Sequence, residues 1–351
     1  MTPPGIHLWI PGLLGPVPPG LAVQAELPGL HALLARASAA PTPAMHHVAR
    51  EPRVTGRMLA DLLEPFVPAA AGASTNWLIA SPLNLVPDRD TLRVLDAATL
   101  TLSQADADAL CAELNSLFGD DGLHVSALAP TLWIASMPLD RSIPAGLAPA
   151  SALTGQRFAD FLPAGDGARE WVRLLNELQM ALYGSSVSVQ RAATGLPRVT
   201  GVWLWGAESD SSPDAALSSW SLLCGDDPLL KALAKASRCE WQPAPTTVDA
   251  LLDDWQQLAA AGRSAPTVFV EIGGAPVIKD GRSFVDWEQW LIDFDRDWLV
   301  PLDQARLAGQ CPAIGIADGR GREWLCRRHD RYRVWRRPRR LPALFAEEES
   351  A

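Results

Sequence analysis

The sequence predicts an α/β protein whose parallel sheet is assembled from both ends of the chain, with a smaller α+β segment between them. Three observations predict it. Short strand-like runs lie at Ile6–Ile10, Thr267–Ile272 and Ala313–Ala317. A long amphipathic helix pattern separates the last two, as a crossover between parallel strands requires. From about Thr75 to Leu162 the order is instead two strands, a helix and two strands, which suits a small sheet with a covering helix. At 351 residues the chain exceeds one ordinary core, so two domains, or one with a large insertion, are expected.

Taken in order, Ile6–Ile10 reads as a short strand followed by the turn-rich PGLLGPVPPG, and Leu27–Ala37 as a helix. Pro68–Ser74 (PAAAGAS) is small and flexible, a junction. Trp77–Ala80, Leu92–Leu95, Leu123–Ala127 and Thr131–Met137 are strand-like. Ser103, with Asp106 three residues on, starts a helix striped by Ala107, Leu110, Cys111, Leu114, Leu117 and Phe118. Trp171, Leu174, Leu175, Leu178 and Leu182 form one apolar stripe of the next helix, with Asp166 at its N-cap and Gly184 at its end. A polar loop carrying Arg191 follows, then a buried strand from Val199 to Trp205.

In the last third, Leu217–Cys224 reads as a strand and Thr246 with Asp249 as a helix start, striped by Leu251, Leu252, Trp255 and Leu258. Thr267–Ile272 (TVFVEI) is a continuous β-rich run, as a strand buried on both faces should be. Ser283 and Asp286 begin a helix striped by Trp287, Trp290, Leu291, Phe294 and Trp298, whose aromatic rings are expected in the core. Asp293, Asp295 and Asp297 alternate around that helix and are expected in solvent. The arginine-rich run Arg327–Arg340 is expected to form a terminal edge strand whose charges blunt aggregation. Its functional reading is a docking face for another protein or an anionic ligand, partly neutralised by the acidic tail Glu347–Glu349.

Composition excludes several classes. Hydrophobic residues at 48% with 20% charged describe a folding chain, not a disordered one. A formal charge of −10 argues against nucleic-acid binding. The five cysteines are odd in number and never in C-x-x-C spacing, which argues against structural zinc and a disulfide framework. No basic leader precedes the early prolines and no apolar run reaches membrane-spanning length. A cytoplasmic protein that is not in a membrane is expected.

Catalytic templates are sparse. There is no G-x-S-x-G elbow, no G-x-x-x-x-G-K-[ST] phosphate loop and no H-E-x-x-H. His31 and the pair His46-His47 have no partners spaced to complete a metal site. Asp88 and Asp90 around Arg89 read as a self-satisfied turn, with an acid/base dyad as the alternative. Ser185-Ser186 offers hydroxyls without an evident base. Gly319, Arg320, Gly321 and Arg322 either cradle an anion through amides and guanidinium groups or simply turn the chain.

The run from Gly165 to Gly206 resembles RpfE-type bacterial regulatory proteins and, more distantly, archaeal-type cofactor-independent phosphoglycerate mutases of the alkaline phosphatase superfamily. Val187, Arg191, Gly195, Trp203, Leu204, Trp205 and Gly206 carry the likeness. WLIASPLNL (Trp77–Leu85) is similar to the W-x-x-A-D-P-V-H-L of the RpfE type, with Asn84 in place of His. The resemblance implies an alkaline-phosphatase-like parallel-sheet core from residues 1–74 and 164–351, with residues 75–163 as an inserted α+β domain.

The resemblance also implies where ligands would sit, and there this chain departs. Pro11-Gly12 replaces the Asp expected after the first strand. Gly273, Gly274 and Ala275 follow TVFVEI where His and Asp are expected, leaving Glu271 as the nearby carboxylate. Asp318 is followed by Gly319 instead of His, and His329 stands roughly where a further His would lie. Ser188 and Thr200 replace two Asn residues. The implied function is a non-catalytic regulatory or scaffold protein derived from a mutase-like enzyme, without cofactor or metal, acting by protein contacts or small-anion sensing. Arg191, Ser188 and Arg320 are its candidate ligand-binding residues. The alternative is an active phosphomutase or phosphotransferase with manganese or zinc at a rearranged Asp318, His329 and Glu271, assisted by Arg191. A plain small-molecule binder, with Arg191 on a phosphate or carboxylate, is the third reading.

Overall fold

β1 (Gly5–Trp9) is buried along its whole length and is the middle strand of a seven-stranded sheet. The computed structural model describes residues 5–15, 17, 20–34, 37–39, 55–60, 75–89, 91–95, 97–165, 167–207, 220–261, 266–276, 278, 281–319, 322–332 and 345. His46-His47, Pro68–Ser74, Asp90, Asp166, Leu217, Arg320, Gly321 and the segments 333–340 and 347–349 lie outside them.

After β1 come α1 (Pro28–Leu34), the two-residue β2 (Ser38–Ala39) and α2 (Gly56–Ala60). β3 (Thr75–Asp88) and β4 (Thr91–Leu95) precede α3 (Gln104–Phe118). Ser103 caps α3 by accepting the Asp106 N–H at 3.1 Å, as its sequence predicts. Then follow β5 (His124–Ala129), β6 (Leu132–Pro138), the short α4 (Ala150–Leu153), α5 (Ala168–Gly184), α6 (Ser186–Ala193) and β7 (Gly201–Trp205). The last third runs β8 (Leu222–Cys224), α7 (Pro228–Ala236), β9 (Glu240–Gln242), α8 (Val248–Ala260) and β10 (Thr267–Glu271). α9 (Gly281–Phe294) passes through a π-helical turn, Asp295–Leu299, into α10 (Val300–Ala308). β11 (Ala313–Ala317) and β12 (Glu323–Arg327) close the sheet.

The chain divides into two units, Met1–Ala49 with Asp214–Ala351, and Arg50–Pro213. In the first, the strand order is β2-β12-β11-β1-β10-β8-β9. β1 is parallel to both β10 and β11, β8 continues the parallel set, and β9 completes it. β12 and β2 run antiparallel at the far edge. This is the mixed α/β fold with a parallel-strand sheet that the sequence predicts. Alternation in the central strands separates two faces. Ile6, Leu8, Val268, Val270, Ile314 and Ile316 join the core with α1, α8, α9 and α10. On the other face His7 lies edge-on to Trp220 at 5.2 Å, and Trp220 to Phe269 at 5.5 Å.

The second unit holds an antiparallel sheet in which β3 is central. β6 pairs with its first half and β4 with its second, while β7 pairs on the other side. Leu83 O accepts from Thr200 N, and Leu85 N donates to Thr200 Oγ1. By alternation Pro82 faces the opposite side, where β6 ends at Ala80 and β4 begins at Asn84, so its missing N–H removes no ladder bond. β3 therefore runs through two prolines and is far longer than Trp77–Ala80. Because β7 pairs with β3 and α5 packs on β7, the segment 164–213 belongs to this unit and not to the parallel sheet.

Four further expectations change. The polar loop around Arg191 is the helix α6, capped by Ser185, which accepts the Ser188 N–H at 3.1 Å. Leu117 is exposed and drops out of the α3 stripe. Asp295 is buried, not solvated. It caps α1 by accepting N–H bonds from Leu30 at 2.6 Å and Gly29 at 3.1 Å. Arg331-Tyr332 lies in a 3-10 turn, Arg328–Tyr332, after a β12 that the sequence pattern did not single out. The tryptophans of α9 behave as expected: Trp287 is fully buried, and Trp290, Phe294 and Trp298 stack at centroid spacings of 5.2 and 5.9 Å.

Candidate functional site

In open parallel sheets, ligands bind beyond the carboxyl ends of the strands. Here that rim is made by the loops after β1, β10 and β11. Ile10 N donates to Ala317 O at 2.8 Å and Ile272 N to Trp9 O at 2.9 Å, so the three strand ends stay in register. The loop after β1 is then tied down. Gly12 N donates to Asp318 O at 3.2 Å, and the Trp287 indole N–H donates to Gly12 O at 2.8 Å.

The rim is crowded around Gly12 and Gly319. A Cβ added at Gly319 would lie 3.1 Å from Pro11 Cα, and one at Gly12 would lie 3.2 Å from the Ala275 Cβ. Both glycines have positive φ, +83° at Gly12 and +80° at Gly319, conformations that disfavour any other residue. Small residues there let the loops after β1, β10 and β11 approach one another closely.

The candidate side chains are not brought together. Asp318 is fully buried and bound to the Arg322 guanidinium, whose own backbone N–H also reaches an Asp318 oxygen at 3.3 Å. The pair links the end of β11 to the start of β12. Arg322 also lies over the Trp324 ring at 5.9 Å.

Glu271 ends β10 on the other side of β1, about 10 Å from the end of β11 at ordinary strand spacing. It packs toward β8, since a Cβ on Gly225 would fall 3.0 Å from Glu271 Cβ. His329 is farther still. β12 runs antiparallel, pairing Ala317 with Glu323 and Ala313 with Arg327. His329 is thereby carried to the amino ends of the parallel strands, about 13 Å from the rim along β11. It is exposed, with Nε2 3.8 Å from Asp330.

Two divalent ions need hard oxygen and imidazole donors converging on one point. One carboxylate held by arginine, one beyond the next strand and one imidazole at the opposite edge do not fit manganese or zinc. Among the described residues, no three His, Cys, Asp or Glu side chains are grouped to hold a metal.

Arg191 and Ser188 belong to the second unit, and both are buried, at 3% and 0% exposure. The Arg191 guanidinium donates to Asp106 at 2.7 Å, to Pro197 O at 3.1 Å and to Leu100 O. It thereby fixes the corner before α3, where Thr101 has a φ of 45° that a β-branched residue rarely adopts. Ser188 Oγ donates to Val199 O at 3.0 Å. Both side chains are thus spent on holding α6 to its neighbours. Arg322, which the sequence places in a turn or an anion cradle, and Asp106, which it places at a helix cap, are the residues that bind Asp318 and Arg191. The i,i+4 spacing of Asp318 and Arg322 was the available signal for the first.

No protein-family model matches the chain. A probable 2,3-bisphosphoglycerate-independent phosphoglycerate mutase of Geobacter sulfurreducens is 26% identical over 126 residues, covering 35% of this chain and 31% of that protein. The chain is thus similar in sequence to under a third of that relative. Among solved structures, the cofactor-independent phosphoglycerate mutase of Thermoplasma acidophilum aligns with 92% of this chain and 89% of its own at 18% identity, with a TM-score of 0.40. The PH0037 protein of Pyrococcus horikoshii aligns with 90% of this chain and 82% of its own at 12% identity, with a TM-score of 0.44. No helix of the described residues is long and apolar enough to cross a membrane.

Proposed function

We propose that this chain is a non-catalytic regulatory or scaffold protein, derived from a phosphoglycerate-mutase-like ancestor and working through protein contacts. The observation that carries the reading is the crowded rim. Pro11, Gly12, Ala275 and Gly319 crowd together at the strand ends, and Asp318 already has a guanidinium partner. Phosphoryl transfer depends on positioned charge around the reacting group. A carboxylate already paired with a guanidinium supplies little of that.

Protein contacts are favoured over small-anion sensing because Arg191 is consumed by Asp106 and two carbonyls. A free anion would have to displace a covalently tethered carboxylate.

Turnover tests the proposal directly. The full-length protein would be incubated with manganese or zinc and a phosphoglycerate isomer or a generic phosphate ester. We expect conversion no faster than in the protein-free control. Metal-dependent turnover that disappears in Asp318→Asn would instead establish a phosphotransferase with a rearranged site.

A further inference from the structure

Phe345 packs on the residue that holds the loop after β1. Its ring meets the Trp287 indole edge-on at a centroid spacing of 6.0 Å, and it is half-buried against the core cluster of the first unit. Trp287 is fully buried, with the Phe284 ring 5.7 Å away on the same helix. The Trp287 indole N–H donates to Gly12 O at 2.8 Å. Gly12 O also accepts from Gly15 N, while Gly12 N donates to Asp318 O and Leu13 N to Ile10 O. Phe345, Trp287 and the loop after β1 are thus joined by direct contacts inside the first unit.

We propose that Phe345 is a detachable latch: docked on Trp287 it fixes the loop after β1, and undocked it lets that loop loosen. The two partners differ in how firmly they are held. Trp287 sits on α9 among the buried Phe284, Leu291 and Phe294, so it stays in place. Phe345 belongs to a short apolar stretch, Leu341–Phe345, set between arginines that reach Arg340 and the glutamates Glu347–Glu349. An apolar core takes neither kind of charge without partners. A segment held by few buried apolar contacts opens at far less cost than a core strand.

The latch gives another protein a handle on the rim. A partner that takes up Phe345 uncovers Trp287, and with it frees the loop that Gly12 brings against Ala275. Such a partner offers an apolar socket bordered by basic groups, to receive Phe345 and Glu347–Glu349. The coupling runs both ways. Whatever binds the loosened loop also favours the undocked Phe345, by the same factor in affinity.

Hydrogen exchange on the intact chain tests this without substrate or metal, so its failure is distinct from failure of the non-catalytic reading. In Phe345→Ala the amides of Gly12, Leu13 and Gly15 should exchange roughly tenfold faster than in wild type, and those of β1 should not change. Phe345→Tyr keeps the ring and should keep the wild-type rates. Trp287→Phe removes the indole N–H but retains an aromatic ring, with circular dichroism checking its fold. It should speed the same three amides, and adding Phe345→Ala should then change them less than about twofold. Unchanged loop amides in Phe345→Ala overturn the proposal. So does an equal acceleration across β1, which would mean general loosening, or an undiminished effect of Phe345→Ala in the Trp287→Phe background.

Discussion

The carboxylate of Asp295 accepts the backbone N–H of Leu30 at 2.6 Å, joining residues that lie 265 positions apart in the chain. Gly29 donates to its second oxygen at 3.1 Å. The cap of α1 is therefore supplied by the π-helical turn after α9, not by the residues before α1. Removing it by Asp295→Ala should cost about 2 kcal/mol, the range of a lost buried cap. Urea denaturation would measure it, and a loss below about 0.5 kcal/mol would contradict the capping role.

The same residue makes a prediction about pH. Burial pushes the Asp295 carboxyl above its usual range, against the downward pull of the Leu30 and Gly29 amides. A raised folded-state pKa means the native protein binds more protons than the unfolded chain. Its contribution to stability is then full below the ordinary carboxylate value and falls as pH rises through the folded value. The stability of wild type minus that of Asp295→Asn should decline with rising pH across that window and flatten above it. A difference that grows with pH would refute the assignment.

Arg191 makes a larger prediction. Arg191→Ala strands Leu100 O, Pro197 O and Asp106 together. Truncating one partner of a buried ion pair costs roughly 3–5 kcal/mol, and the one-third exposure of Asp106 puts this pair at the lower end. Arg191→Lys keeps the charge but not the fork, so it should fall between. Phosphate or sulfate should raise the melting temperature of wild type no more than matched ionic strength does. A specific anion effect lost in Arg191→Lys would restore the sensing role.

Thiol labelling gives a third check. Burial pushes Cys111, Cys224 and Cys326 up to about 12 and Cys311 to about 11. Their thiolate fractions at pH 8 are negligible, and all four are buried. Iodoacetamide should modify half-buried Cys239 before any of them in native protein, as peptide mapping would show. Fast labelling of Cys326, whose thiol donates to Leu33 O at 2.8 Å, would contradict the packing of β12 on α1.

Asn115 predicts a change in solubility. Its side-chain amide donates to Val125 O at 2.8 Å and accepts from Val125 N at 2.7 Å, which occupies the open edge of β5. An uncovered edge invites pairing with another strand. Asn115→Ala should lose about 1–2 kcal/mol and aggregate sooner on heating, followed by light scattering. Unchanged aggregation would mean that the edge is protected by something else.

Most of the central sheet is legible because TVFVEI, AIGIA and the first strand are short β-rich runs dominated by apolar residues. The α5 stripe was equally plain. What escaped shares a cause. α6 turns Ser188 and Arg191 inward, so its buried face carries no apolar period to detect. Asp295 was read as solvated because an acid on a helix usually is, and the π turn that re-aims it leaves no mark in the sequence pattern. β7 looked like another core strand, because its partner β3 is set by long-range pairing that local composition does not encode. For the candidate site, Asp318 and Glu271 were rightly placed at strand ends. The separation between them, and the displacement of His329, depend on strand order and on the reversal at Gly319.

That reversal constrains what descendants of this chain could become. β12 starts beside the rim, with Glu323 paired to Ala317, and leads away from it, so no point substitution from Cys326 to Tyr332 can deliver a donor to the rim. Bringing an imidazole from the position of His329 to a two-ion centre would take a new chain path after β11, a rearrangement of topology and not an exchange of side chains.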